Sequence, residues 1–313
     1  MKNIKVIFMG TTDFGVPALE SLVAAGYEVQ AAVCQPDRPN KRGKKVEILP
    51  LKAKALELGI TVLQPEKIRD TQFVEVLKNF QSDIFVVAAY GQILSREILE
   101  IPNYGSLNIH GSLLPDYRGA APIQRAIIDG KKKTGVTIML MSEGMDTGDM
   151  LSKAEYPITE STTFLDLYRS LSLLGGHLLI ETMEKFLAGA LKPVPQDNSV
   201  ATYAEKILKD TGYINWHKSS REILYLINGT DPVPGAYIVY NDEKIKCFSP
   251  EIVIWEGHEK PGTIVIADDR EGLVIKTQDG ALRIGSIQAP GKKRLEATVF
   301  LRGRKMAIGT ILN

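Results

Sequence analysis

Five continuously apolar runs, at 4–9, 29–34, 83–89, 105–109 and 135–141, read as buried β-strands in the first half of the chain. Between them, apolar residues return at three-to-four spacing over 17–25, 50–58, 71–80 and 121–129, which predicts helices. Strands that are apolar on both faces and alternate with helices predict a doubly wound, mostly parallel sheet covered on both sides. A longer helical stretch at 163–187, interrupted by Gly175 and Gly176, is expected to close this α/β domain. After 207 the texture changes. Short strands are expected at 237–240, 245–248, 252–255, 262–266, 273–276 and 282–287, with one helix at 220–227, which predicts a small barrel or sandwich. LKPVPQDN, ending at Asn198, reads as a connector, so the expected division is 1–189, a linker at 190–206, and 207–313.

One strand ends in an unusual way. LNIHGSLLPDYRGAAPIQ begins at Leu107, and alternation along a strand sends Leu107 and Ile109 to one face and Asn108 and His110 together to the other. A second motif, SEGMDTGDM from Ser142, follows the strand GVTIMLM and sets Asp146 between Gly144 and Gly148, where the backbone can come close to a ligand. A single Asp-Thr-Gly supplies no carboxylate dyad, which argues against aspartic-protease chemistry. If the strands are parallel neighbours, their ends bring Asn108, His110 and Asp146 into one crevice. An amide, an imidazole and a carboxylate with no Ser or Cys nucleophile beside them suit acyl transfer by direct attack between two outside partners.

Composition narrows the surroundings. The 313 residues, 44% hydrophobic and 24% charged, can build ample core and favour two domains. Lys plus Arg (38) balances Asp plus Glu (37), so a polyanionic partner must be met by local patches. Only Cys34 and Cys247 occur, each in a strand-like run, which argues against a disulfide framework or a thiolate metal site and for free thiols in a reducing compartment. The four histidines show no metal-ligand spacing, so no metal is expected. No secretory segment and no run of about 20 apolar residues is seen, and a cytoplasmic, monomeric protein is expected.

Two local patches are basic. Residues 35–54 carry Arg38, Lys41, Arg42, Lys44, Lys45, Lys52 and Lys54 against Asp37 and Glu47, in a loop expected at the carboxyl edge of the sheet. It is either a solvated loop or a contact for a phosphate backbone. Near the C-terminus, Arg283, Lys292, Lys293, Arg294, Arg302, Arg304 and Lys305 stand with one acid, Glu296, and pose the same alternatives. GTTDFG, from Gly10, matches neither a Walker A loop nor GxGxxG and reads as a tight strand-to-helix turn before Pro17.

N-x-H at 108–110, SLLPDYRGAAPIQ at 112–124, GVTIMLMSEGMDTGDM at 135–150 and QPDRPNKRGKK at 35–45 together closely resemble the methionyl-tRNA formyltransferase family. TYAEK at 202–206, Ile214 with Trp216, and PGKKRLEATVF at 290–300 extend the likeness over essentially the whole chain. The resemblance implies a Rossmann-like formyltransferase domain with a mostly parallel sheet and a C-terminal OB-fold-like β-barrel. It implies transfer of formyl from 10-formyltetrahydrofolate, the co-substrate, to the α-amino group of methionyl-initiator tRNA in translation initiation. Carried over by motif, Asn108, His110 and Asp146 are the catalytic set. Ser112, Leu113, Leu114 and Pro115 match the stretch associated with tetrahydrofolate, and Gln92, Ile93 and Leu94 flank the pterin. Arg38, Lys41, Arg42, Lys44 and Lys45 belong to the loop that meets the acceptor stem. The pattern departs at NGTDPVPGA, so the resemblance assigns no contact to residues 228–231. On this reading Asn108 and His110 both donate to the tetrahedral oxyanion, and Asp146 helps manage the proton lost by the amine. Competing expectations are a formyltransferase for a small amine, a folate hydrolase, and a non-catalytic RNA-binding protein.

Overall fold

The apolar runs become strands because each can bury both faces, and the computed structural model, which describes residues 4–39 and 47–312, shows how they are ordered. Two compact units divide the chain. One comprises the chain to Gly119 with Thr134–Tyr156 and Tyr168–Ala204, and the other comprises Ala120–Lys133, Pro157–Leu167 and the chain from Glu205 on.

The first unit is built on β1 (Lys5–Gly10), α1 (Val16–Ala24), β2 (Glu28–Val33), α2 (Pro50–Glu57), β3 (Thr61–Leu63), α3 (Thr71–Asn79), β4 (Ile84–Ala88), α4 (Arg96–Leu99), β5 (Ser106–His110) and β6 (Arg118–Gly119). In chain order there follow α5 (Pro122–Ile128) of the second unit, then β7 (Lys133–Leu140), β8 (Met150–Pro157), α6 (Phe164–Leu187) and β9 (Tyr203–Ala204). The seven-stranded sheet runs β3-β2-β1-β4-β5-β7-β8. Its first five strands are parallel, as expected of a Rossmann-like sheet. Prolines near the starts of α1 and α2 and the Asp70 cap on the Gln72 N–H begin helices where the sequence pattern places them.

Three features depart from the expectation. β7 runs antiparallel to β5, with Leu107 opposite Leu140 and His110 opposite Thr137. An apolar run records burial, not direction. β3, α4 and β8 lack sustained apolar runs, so the sequence pattern does not predict them. α6 is one continuous helix through Gly175 and Gly176. A Cβ on Gly175 would lie 2.8 Å from the Ile109 Cγ2, and one on Gly176 would lie 3.0 Å from the Pro17 backbone of α1. The two glycines therefore let α6 seat against β5 and α1, and do not break it.

In the second unit, α7 (Ser220–Thr230) packs with β10 (Tyr237–Tyr240), β11 (Glu243–Val253), β12 (Ile264–Asp268), β13 (Gly272–Lys276), β14 (Ala281–Gln288), β15 (Leu295–Glu296) and α8 (Ala297–Gly303). The antiparallel sheet runs β10-β11-β14-β13-β12, with β15 on β14, and gives the barrel-like domain expected. The strands expected at 245–248 and 252–255 are one strand, β11, with Ser249 at φ 52° between them. α8 is a second helix where only one was expected. Ile223, Ile227, Ile238, Ile275, Ile284 and Phe300 share the core. Among the described residues no helix is long and apolar enough to cross a membrane.

Candidate active site

β5 ends the way its alternation dictates. Leu107 and Ile109 are buried on the face that α6 covers, whereas Ser106, Asn108 and His110 share the opposite face with Phe85 and Val87 of β4. His110 is only 5% exposed. Asn108 is half-buried, and among the described residues its side-chain amide has no hydrogen-bond partner. It is a donor positioned by a rigid strand and left open.

Asp146 reaches His110 by a route different from the one the sequence suggested. Because β7 is antiparallel, it ends beside the start of β5, and the Met141 N–H bonds the Ser106 carbonyl. The loop from 142 to 148 then turns back, and the Asp146 Oδ2 lies 3.7 Å from the His110 Nδ1. Asp146 has a left-handed backbone, φ 53°, and its Oδ2 accepts the Gly119 N–H at 2.8 Å. A Cβ on Gly148 would sit 1.7 Å from the Leu140 carbonyl oxygen. That glycine lets the loop fold against its own strand, not against a ligand.

The other ring nitrogen of His110, Nε2, lies 3.0 Å from the Tyr117 carbonyl oxygen. A carbonyl only accepts, so the Nε2 N–H donates to it, and Nδ1 is the ring nitrogen on the Asp146 side. With Nε2 engaged by Tyr117, Nδ1 is the ring nitrogen left for the expected chemistry of His110. Tyr117 is itself held: its N–H donates to the Thr202 Oγ1 at 2.8 Å. Arg118, 2% exposed, donates from Nε to the Gln196 Oε1 at 2.9 Å and from Nη2 to the Asn198 Oδ1 at 2.8 Å.

The SLLP stretch is tied down mainly through its backbone. The Thr137 hydroxyl donates to the Ser112 carbonyl at 2.7 Å and accepts the Leu114 N–H at 3.0 Å, and Lys153 donates to the Leu114 carbonyl. The Ser112 Oγ donates to the Asp116 carbonyl, and both Ser112 and Leu114 are fully buried. Leu113 and Pro115 are the half-buried members of the four. Gln92 spends its side chain on protein, accepting the Ile68 N–H at 2.8 Å, while Ile93 is exposed and Leu94 buried.

The basic patches are less cationic than their count. Arg38 is exposed, and Lys41, Arg42, Lys44 and Lys45 lie outside the described residues. Lys52 is paired with Asp37, whose carboxyl its hydrogen bond holds below the usual range, and Lys54 pairs with Glu20 and Glu57. In the second unit Arg283 meets Glu251 and Glu271, Arg294 meets Asp231, Arg302 meets Asp269 and Arg304 meets Glu243. Lys292, Lys293 and Lys305 remain exposed with no ion pair among the described residues. The departing segment at 228–231 is structural: Asn228 donates to the Glu160 carbonyl and Asp231 holds Arg294.

Cys34 and Cys247 are free and buried, and burial pushes both thiols up to about 12, which removes them as nucleophiles. Thr137, Lys153, Thr202 and Gln196 were not identified from sequence. Thr137 becomes visible only once register sets it opposite His110, and Gln196 sits in a polar, proline-containing stretch that looks like any connector.

A family model described as "Formyl transferase" matches residues 2–183, and one described as "Formyl transferase, C-terminal domain" matches 206–305. The chain is 44% identical over 304 residues to a methionyl-tRNA formyltransferase of Thermodesulfovibrio yellowstonii, covering 97% of each. Among solved structures it is similar to HypX from Aquifex aeolicus in complex with tetrahydrofolic acid. That match has a TM-score of 0.67 and 20% identity, over 96% of this chain and 47% of that one, so the chain spans about half of HypX. It is also similar to an N-formyltransferase from Helicobacter canadensis in complex with folinic acid and dTDP-3-aminofucose, with a TM-score of 0.66 and 21% identity over 91% and 98% of the two chains. The family models and the near-full-length relative agree, and the chain belongs to the formyl transferase family, among the methionyl-tRNA formyltransferases.

Proposed function

We propose that this enzyme moves the formyl group of 10-formyltetrahydrofolate to the α-amino group of methionyl-initiator tRNA, with Asn108, His110 and Asp146 as its catalytic residues. The observation that carries the assignment is the open Asn108 amide two residues from His110, whose Nδ1 is 3.7 Å from the Asp146 carboxylate. The Ser112 hydroxyl, two residues from His110, is spent on the Asp116 carbonyl and is not free to take the acyl group. The amine therefore attacks directly.

As the new C–N bond forms, the carbonyl electron pair moves onto the formyl oxygen, and the Asn108 amide donates to that oxyanion. The proton shed by the amine nitrogen passes to the His110 Nδ1, where the Asp146 carboxylate balances the new positive charge. When the carbonyl re-forms, the bond from carbon to the folate N10 breaks, and N10 takes up the proton that His110 held. The products are a formamide on methionine and tetrahydrofolate. Tyr117 and Gly119 do not react. They orient the imidazole and the carboxylate through a carbonyl and an N–H.

Leu113 and Pro115 supply the half-buried side chains of the stretch assigned to folate, with Ser112 and Leu114 fixing its backbone from below. Affinity for tRNA falls to Arg38 and to Lys41, Arg42, Lys44 and Lys45, together with the unpaired C-terminal lysines, and it declines steeply with salt. A monomer suffices for the reaction. Incubation with formyl-labelled 10-formyltetrahydrofolate and methionyl-tRNA tests the reading, and label is expected on the methionine of the tRNA. Release of the label as formate, or its transfer to a free small amine at an equal rate, would refute it.

A further inference from the structure

The segment between 190 and 206 does more than connect. Met150 and Val194 exchange two backbone hydrogen bonds of 2.8 Å, and β9 pairs with β6. Thr202 accepts the Tyr117 N–H on its hydroxyl and the Arg118 N–H on its carbonyl. Between these anchors Gln196 is 8% exposed, and all of its polar side-chain atoms are engaged. Its Oε1 accepts from the Arg118 Nε, and its Nε2 donates to the Asp146 carbonyl at 2.8 Å and to the Gly148 carbonyl at 2.7 Å.

We infer that Gln196 is a positioning residue for Asp146 that sets the catalytic carboxylate without touching substrate. One amide nitrogen ties the carbonyls on both sides of Thr147, and so fixes the shape of the turn on which Asp146 keeps its left-handed backbone. Without that donor, two inward-facing carbonyls lose their partner, and the turn must relax to find others. Asp146 then drifts from the Gly119 N–H and from the His110 Nδ1, and at 3.7 Å the latter contact has no slack to lose. The inference rests on the reading of Asp146 as the charge partner of His110 in proton transfer.

Gln196→Glu isolates the donor. Its carboxylate can still accept from Arg118, a buried guanidinium whose acceptors here are the neutral amides of Gln196 and Asn198, so folding is supported. It cannot donate to the two carbonyls. Gln196→Met, similar in length and without polar atoms, is the second variant. Both are compared with Asp146→Asn and with the two double variants, by kcat and by KM for folate and for tRNA. The expected loss in kcat is about 10- to 100-fold for Gln196→Glu, as for an ångström-scale misplacement of a catalytic group, with both KM values within about twofold of wild type. In the Asp146→Asn background the same change is expected to cost less than about threefold, because the group it positions is already disabled. Wild-type kcat in both Gln196 variants, or the full loss repeated in the Asp146→Asn background, overturns the inference. Wild-type turnover by Asp146→Asn itself overturns the reading of Asp146 and the positioning role with it, so the silent single variant tells the two failures apart.

Discussion

Replacing Asn108 by Ala should slow formyl transfer while leaving the fold as stable as before. The side chain is half-buried at the end of β5 and bonds to no described residue, so truncation breaks no hydrogen bond and opens no closed cavity. The stability change is then expected within about 0.5 kcal/mol, the range for substitutions away from core and network. The transition state loses its one unencumbered amide donor, and a donor to a developing oxyanion is worth about 2.7–4 kcal/mol, or about 10²–10³ in rate. Single-turnover kinetics, with enzyme in excess over methionyl-tRNA and folate saturating, read the chemical step without product release. Asn108→Asp keeps the shape and replaces the NH2 donor with a carboxylate oxygen, which repels the oxyanion, so it should be slower still. A wild-type single-turnover rate in either variant would refute the oxyanion role. A loss confined to KM would make Asn108 a binding residue.

Gly175→Ala should destabilise the first unit, because its Cβ meets Ile109 at 2.8 Å and an overpacking cost of about 1–3 kcal/mol outweighs a helix-propensity gain of about 1 kcal/mol. A thermal midpoint at or above that of wild type would contradict this. At the start of α7, bonds from Lys218 and Ser219 hold the Glu222 carboxyl at about 2, below its ordinary 4.5. A depressed carboxyl stabilises the folded state above its unfolded pKa and loses that stabilisation as pH falls through the folded one. The contribution, about 1 kcal/mol after solvent screening of a half-exposed group, should therefore vanish between pH 4.5 and about 2, and a Glu222→Gln deficit that stayed constant over that window would refute it. Alanine at Lys292 or Lys293 should each lower the salt slope of tRNA binding by about 1, whereas Arg283→Ala, already paired with Glu251 and Glu271, should leave it unchanged. Equal slopes for all three would show that the ion pairs do not decide which cations reach the RNA.

Much of the frame was legible because local physics wrote it. The alternation Leu107, Asn108, Ile109, His110 holds in β5, and the helix expected at 220–227 is α7. The direction of β7 was hidden, since an apolar strand buries equally well either way round. β8 was hidden for the opposite reason, as MLSKAEYP places Lys153 and Glu155 in an edge strand without an apolar run. Gly175 and Gly176 looked like a break because helix propensity is local, while the need for close approach to Ile109 and Pro17 is tertiary. Gln196 left no signal in the sequence. Its importance comes from where its two ends land, on Arg118 and on the Asp146 turn, and neither distance can be read from composition or spacing.

The same logic separates the chemistry from the choice of acceptor. On the proposed reading Asn108, His110 and Asp146 would serve any amine that reaches the formyl carbon, and a fold does not by itself select one. Selection of a tRNA therefore has to come from charges outside the site. Counting cations overstates them, because Lys52, Lys54, Arg283, Arg294, Arg302 and Arg304 all have carboxylates in contact. A paired cation offers a phosphate little unless the RNA displaces its carboxylate, whereas Lys292, Lys293 and Lys305 need displace nothing. Arg38 is the one residue of the predicted acceptor-stem set within the described chain, and it too has no ion pair there. Methionyl-tRNA and a small amine should then diverge with salt. Raising ionic strength should raise the KM for the tRNA steeply and leave the KM for folate nearly flat, and parallel behaviour of the two would place acceptor recognition inside the catalytic cleft instead.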